Sequence, residues 1–351
     1  MSTSLPIISG IQQIGIGNTS VYDTWDWYRK NLGMDVPIFD EAAEAALMLP
    51  YTAGKPRSRH AILALNMNGG GGAEIWQYTS RVGQKAEYEI QPGDLGIYAA
   101  IYKSYDINRS HRELSHANSC SEIVPYIGNR KCFYTHDLIG NQIVIVESDD
   151  WFQKGSHHTG GVYGAVIGVS DMNASIDFYK NVLGYDLVLH DDIITAPNPW
   201  SQSSQDKYRS VILTHKANRV GAFSPLLGRS EIHLLQSLDR MPKKIFADRM
   251  WGDVGYIHLC FDIRGMDELR YLCEEFGSPF TVDSGDFDMG DAGGQFAYIE
   301  DPDGTLIEFV ETHKIPILKK IGWYLNLKNR APEKSLPRWM LKALGLNRKK
   351  E

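Results

Sequence analysis

The chain has 351 residues, a net charge of −7 and 43% hydrophobic residues, which is ordinary for a soluble globular protein with room for about two domains. The acidic balance argues against a nucleic-acid partner, and no run approaches the ~18 apolar residues of a transmembrane helix. Its four cysteines show no metal-binding or disulfide spacing and Met1 to Ser9 lack a signal-peptide pattern, so a reduced, cytoplasmic protein is expected.

From Gly10 to Gly17 the residues alternate as a strand, and Asn18-Thr-Ser20 can cap a helix over Val21 to Leu32 that Gly33 ends. Strands follow near 36–39, 46–49 and 60–66. Asn68 and the four glycines after it join two strands and open no helix, so they read as a flexible hairpin turn, not a phosphate loop. The segment closes with a strand over Ala73 to Tyr78 that carries Glu74. A second unit runs from Gly93 to Glu147 with a helix near Ile107–Ser115, and residues 148–158 read as a linker. The third opens with a strand from Gly160 to Val169. Ser170 then caps a helix over Met172–Leu183, and the closing strand carries Glu231 and His233 on one face. In the fourth, Gly255 to Asp262 alternates with Tyr256, His258 and Cys260 on one face. Its last strand follows the turn Asp301-Pro-Asp-Gly304 and carries Glu308.

The chain repeats itself. Gly93-Asp-Leu-Gly matches Gly252-Asp-Val-Gly, Asp137–Glu147 matches Asp301–Glu311, and Tyr28–Gly33 matches Tyr179–Gly184. An internal repeat constrains a fold more tightly than propensity does. The expected fold class is α+β: four βαβββ modules in two pairs, 8–149 and 160–312, each pair forming a U-shaped mixed sheet. A His and a Glu on apolar strands need a reason, because a buried charge is costly unless it is paired or binds a metal.

These motifs resemble the vicinal oxygen chelate superfamily, which includes glyoxalases, extradiol dioxygenases and bleomycin-resistance proteins. The carriers of the likeness are the Tyr-x4-Gly helix ends, the Gly-x-x-His strand at 255–258 and the Asp-Pro-Asp-Gly-x-x-Ile-Glu strand at 301–308. The resemblance implies a metal held by the first and last strands of two paired modules. Carried over, the N-terminal pair offers Gln13, Glu74, Ala99 and Val144 and is expected to be metal-free. The C-terminal pair offers Gly164, His233, His258 and Glu308, with Glu231 as the alternative to His233 on the same face. His233, His258 and Glu308 make a two-His, one-carboxylate set, which suits Fe(II); Mn, Zn, Ni and Co are the other candidates. Glu308 and Tyr298 are the implied catalytic residues. The implied function is a dioxygenase-like metalloenzyme acting on a small molecule with adjacent oxygens, with a glyoxalase-like lyase or isomerase, or a metal-free binding protein, as alternatives. A homodimer is compatible with the family.

The tail, 313–351, is basic: residues 312–351 hold 11 Lys and Arg against 2 Glu. Ile315, Leu318, Ile321 and Leu325, then Leu336, Trp339, Met340 and Leu344, recur at helical spacing, which predicts short amphipathic helices. Such a segment either makes a peripheral contact with an anionic membrane or docks on the acidic body of its own or a partner subunit. The charge contrast favours docking.

Overall fold

The computed structural model describes residues 5–195, 205–288, 293–318 and 322–349. Module one comprises β1 (Ile7–Asn18), α1 (Val21–Leu32), β2 (Val36–Glu44), β3 (Ser58–Leu65) and β4 (Gly72–Tyr78). Module two comprises β5 (Gly96–Ser104), α2 (Ile107–Ser115), β6 (Val124–Pro125), β7 (Lys131–His136) and β8 (Gln142–Glu147). Module three has β9 (Thr159–Gly168), α3 (Met172–Asn181), β10 (Leu187–Thr195), β11 (Lys207–Thr214), a short α4 (Ser224–Leu227) and β12 (Glu231–Ser237). Module four has β13 (Gly255–Arg264), α5 (Met266–Glu275), β14 (Val282–Asp283), β15 (Phe287–Asp288), β16 (Gly293–Glu300) and β17 (Leu306–Leu318). The chain continues into β18 (Trp323–Asn326) and α6 (Arg338–Ala343). Among the described residues no helix is long and apolar enough to cross a membrane.

The strands form two curled mixed sheets, so the α+β repeat architecture is as expected. Which modules share a sheet is not. One sheet has the order β14-β16-β17-β13-β1-β4-β3-β2, with β15 and β18 attached at its side, and the other β10-β11-β12-β9-β5-β8-β7-β6. Module one therefore pairs with module four, and module two with module three, correcting the division into 8–149 and 160–312. The seams are antiparallel: β1 lies against β13, and β5 against β9. The physical reason is that side-chain alternation specifies which face of a strand is buried, but not whose edge it meets. The largest apolar cluster draws on both sheets and on α1, α2, α3 and α5, with Trp25, Tyr28, Phe178, Phe261 and Phe309 among its members.

Two local departures shape the site. The β1–β13 register shifts between Gly15/His258 and Ile16/Tyr256, a bulge. Tyr256 therefore joins the shared core with Leu259 and Phe261, while Ile257 turns into the cluster of Trp76 and Trp251. This corrects the expected common face for Tyr256 and His258. The second departure is the glycine run after Asn68, which is buried backbone and not a flexible turn. Gly71 and Val162 exchange N–H···O bonds of 2.8 Å, and Gly161 donates to the Gly69 carbonyl at 2.9 Å. A Cβ on Gly70 (φ 110°) would lie 2.8 Å from the carbonyl carbon of Gly161. The two sheets meet here, and only glycine fits.

The helices start and stop much as their sequences suggest. Gly33 ends α1 in the left-handed region (φ 67°), its N–H bonding the Tyr28 carbonyl. On α3 the cap is Asp171, which accepts from the N–H groups of Asn173 and Ala174. Ser170 is used elsewhere: its hydroxyl donates to Asp303. The tail departs most. Ile315 and Leu325, read as parts of one helix, are instead cross-strand partners, because β17 runs on to Leu318 and β18 pairs antiparallel with it; Ile321 lies outside the described residues. Among the described residues of the tail, only α6 and the 3-10 turn Leu344–Asn347 are helical. Leu336, Leu341 and Leu344 are buried against Val36, Leu65, Met67, Phe152 and Leu226, so these apolar residues of the tail pack on the body of its own chain.

Candidate metal centre

Four strands side by side, β17-β13-β1-β4, place the site. Across them, Glu74 on β4, Gly15 on β1 and His258 on β13 form one row, since Gly15 pairs with both of the others. The next row on the same face is Gln13, Cys260 and Glu308, on β1, β13 and β17. Tyr298 on β16 pairs with Glu308 and extends this row. Each row has a small residue at its middle, over which the long polar side chains lean inward. Gly15 is essential to this: a Cβ there would lie 2.4 Å from Cε1 of His258.

The donor atoms converge. Nε2 of His258 stands 3.2 Å from Oε2 of Glu74 and 3.0 Å from Oε2 of Glu308. One ligand atom from each of these three residues lies within 4.8 Å of the others. The Gln13 amide donates to Glu74 (3.1 Å) and Glu308 (3.4 Å). Yet Nε2 of His258 has no hydrogen-bond partner of proper geometry, and Oε1 of Gln13 has none either. Both atoms are buried. Buried polar atoms crowded together without hydrogen-bonding geometry are what a set of ligands looks like.

The electrostatics agree. Burial alone would push the His258 imidazolium down, but Glu308 and Glu74 outweigh it and hold it up at about 10. Glu308 is itself buried, which would raise it; the adjacent His258 and bonds from Tyr298 and Cys260 bring it below the ordinary carboxylate range. A second positive group could replace the proton of His258 between the two carboxylates. The Tyr298 hydroxyl is 3.5 Å from Nδ1 of His258, its ring meets the imidazole edge-on, and the Trp251 ring lies nearly parallel to the imidazole with centroids 6.5 Å apart. Burial, then the charge of Glu308, raises the Tyr298 phenol well above its usual range, so it stays a donor.

Residues 155–309 match the family model "Glyoxalase/Bleomycin resistance protein/Dioxygenase superfamily". This stretch, a little under half of the chain, is similar to that superfamily. Members bind divalent metals, and the superfamily is one of metalloenzymes that includes glyoxalase I and dioxygenases. Among solved structures, glyoxalase I from Zea mays is 12% identical with a TM-score of 0.52, covering 86% of this chain and 92% of that one. A Bacillus subtilis protein named as a candidate dioxygenase is also 12% identical with a TM-score of 0.52, covering 87% of this chain and 86% of that one. At such identities the likeness is one of fold. No curated protein matches the chain in sequence.

The module pairing decides which expected ligands meet. Gln13, Glu74, His258 and Glu308 come together. His233 does not join them: it lies on β12 of the other sheet, where its Nε2 is 2.8 Å from the Ser210 hydroxyl. Its row there is His233, Val166 and Ala99, and the neighbouring row is Gly164, Ile101 and Val144. These are the counterparts of Glu74–Gly15–His258 and Gln13–Cys260–Glu308, with His233 in the place of Glu74 and with Gly164, Ala99 and Val144 in the places of Gln13, His258 and Glu308. The cavity they line is only about 20 Å³. Gly164 is no vacated ligand position, since a Cβ there would lie 1.9 Å from the Glu231 carbonyl oxygen. Glu231 is paired with Arg130 at 2.7 Å and accepts from Tyr126 and Tyr163. The missed residues are Gln13 and Glu74, expected in a metal-free half, and Gly15, whose lack of a side chain carries no signal until its strand neighbours are known.

Proposed function

We propose that the protein is a metal-dependent enzyme of the glyoxalase type, a lyase or isomerase that moves a proton next to a carbonyl. The observation that carries this reading is the convergence of Gln13, Glu74, His258 and Glu308 on one buried point. The residues fit a divalent cation: two carboxylates, one imidazole and one amide, with unpartnered atoms on His258 and Gln13. With His233 in the other sheet, the two-His, one-carboxylate set of a non-haem Fe(II) oxygenase is not assembled, whereas an oxygen-rich set with one His suits Zn, Ni, Co or Mn.

A cation held there would supply Lewis-acid polarisation of two adjacent substrate oxygens. The chain's own residues do the rest. A carboxylate beside the polarised carbonyl takes the proton from the neighbouring hydroxyl-bearing carbon and returns it to the former carbonyl carbon, while the hydroxyl proton passes to the former carbonyl oxygen, so that atoms and electrons balance in an isomerisation. Glu308 is tied by Tyr298, Cys260, Gln13 and His258, whereas Glu74 contacts Gln13 and His258 alone among these. Glu74 is therefore the freer base, and Tyr298 positions Glu308 and His258. Trp251 and Trp76 keep the site dry and strengthen each interaction within it.

Metal content by mass spectrometry tests the reading. One divalent ion per chain is expected, lost in His258→Ala and Glu308→Ala and kept in His233→Ala. Loss in His233→Ala with retention in His258→Ala would overturn it. With metal-loaded protein, exchange of the C–H hydrogens of hydroxyacetone in D2O, abolished in Glu74→Gln, reads the proton transfer directly.

A further inference from the structure

The geometry points to a substrate that carries an apolar group, aromatic or branched aliphatic, beside its chelating oxygens, housed in a cavity whose outer wall is the C-terminal segment. This rests on the metal-centre reading above. A cavity of about 410 Å³ lies on the same face of the sheet as the ligands, lined by Phe39, Leu63, Leu65, Val310, Ile315 and Leu344 among others. That is an ordinary size for a small-molecule site. Its position follows from register. Leu63 is the cross-strand partner of Glu74, and Val310 is the next residue after Glu308 on that face of β17, about 7 Å along. Gln12 also lines the cavity, and its side chain accepts from the Cys260 thiol at 3.7 Å, which in turn lies against Glu308. The cavity thus begins where the ligand rows end.

Its charged lining residues are engaged. Asp40 is bound by His60 and Glu41 by Arg59, and Lys314 lies over the Tyr324 ring, 4.9 Å from its centroid. Among the described residues no arginine lines the cavity, so a polyanionic conjugate finds no fork to hold it, whereas a hydrocarbon group finds leucines and a phenylalanine. Leu344 closes one side and is itself 5% exposed. The segment bearing it is fastened to the body. The Leu336 N–H donates to Ala222, Arg348 pairs with Asp35 at 3.3 Å, and the Lys349 N–H donates to the Asp35 carbonyl. Arg338 bonds the Phe152 carbonyl and covers that ring.

Acetohydroxamate and benzohydroxamate chelate through the same two oxygens and differ by a methyl for a phenyl. Titration calorimetry of each into metal-loaded, full-length protein tests the proposal. Benzohydroxamate should bind about tenfold tighter or more, from the buried ring area. Leu344→Trp and Leu65→Trp should each remove that gain while leaving metal content and acetohydroxamate affinity unchanged. Benzohydroxamate should also slow hydrogen exchange over residues 336–347. Equal affinities for the two probes, or a gain that survives Leu344→Trp in folded, metal-loaded protein, overturn the apolar compartment and leave the metal centre standing. Failure of both probes to bind overturns the two readings together.

Discussion

The phenol of Tyr179 donates to Oδ2 of Asp301 across 3.0 Å, and the phenol of Tyr28 makes the same bond to Asp137 across 2.9 Å. Each tyrosine stands on the helix of an odd-numbered module, and each aspartate opens the turn before the last strand of the next. Oδ1 of Asp301 accepts from the N–H groups of Asp303 and Thr305, and Oδ1 of Asp137 from those of Ile139 and Asn141. The motifs that reveal the repeat are therefore ties between modules one and two, and three and four. Those partners lie in different sheets. In module four the tie also locks the turn from which β17 delivers Glu308.

Tyr179→Phe removes a donor to a buried carboxylate without changing the packed ring. Burial already pushes Asp301 up to about 6 against the pull of its hydrogen bonds, that of Tyr179 included. Losing one such bond should cost about 1.5–3 kcal/mol in urea unfolding at neutral pH. Tyr28→Phe should cost a similar amount. A change of under about 0.5 kcal/mol in both would remove the tie from the account of the fold.

Gly15→Ala should abolish or sharply weaken metal binding while the chain still folds. The new methyl would displace the His258 ring, because its nearest contacts are the imidazole atoms Cε1, Nδ1 and Nε2 at 2.4–2.8 Å. Overpacking at one buried position typically costs about 1–3 kcal/mol, which a chain of this size tolerates. Metal content measured beside the circular dichroism spectrum separates the two effects. Wild-type metal stoichiometry in a folded variant would show that the row does not close over Gly15.

Most of the architecture was legible from alternation and repeat. Helix α1 matches its expected span, and Gln13, Glu74, Ala99, Val144, Gly164, His233, His258 and Glu308 do occupy equivalent positions in their modules. What alternation cannot encode is long-range edge pairing. The seam between β1 and β13 joins residues some 245 apart in the chain, and a repeat makes several such seams equally compatible with the pattern. That ambiguity moved two positions into the site and two out: Gln13 and Glu74 for Gly164 and His233. The tail was misread for a related reason. Apolar residues three and four apart suit a helix, but β17 offers an edge that the chain past Ile315 can extend and fold back upon.

Gly70→Ala and Gly161→Ala should be among the more damaging single-methyl changes in the chain. Gly70 sits at φ 110°, which an alanine rarely adopts, and its Cβ would meet the backbone of Gly161; a Cβ on Gly161 would meet the Gly71 carbonyl oxygen at 2.3 Å. Backbone cannot rotate aside as a side chain can, so a loss of about 2–4 kcal/mol is expected. Gly54→Ala provides the comparison, because it has a positive φ of 70° but nothing within 4 Å of its Cβ. Thermal unfolding of the three variants separates strain from collision. Equal losses would mean that the contact between the sheets adds nothing to the conformational cost.

Acid should destabilise the protein through His215. This residue is 3% exposed, and its Nδ1 is 2.8 Å from the Ala217 carbonyl while its Nε2 accepts from the Ser230 N–H at 3.3 Å. That pairing uses the neutral ring, with a proton on Nδ1 only, and a second proton would face the Ser230 N–H. Burial first, then the charge of Arg219, lowers His215 to about 4 from 6.5. A histidine depressed in the fold binds fewer protons folded than unfolded, so its contribution is present above pH 6.5 and lost as pH falls through about 4. The full contribution is about 3 kcal/mol. Stability followed by urea denaturation from pH 7.5 to 4 should fall less steeply in His215→Asn than in the wild type. The variant's own cost at pH 7.5, from the altered hydrogen bonds, is a constant offset. An unchanged slope would mean that the imidazole takes up its proton within the folded protein as readily as it does in water.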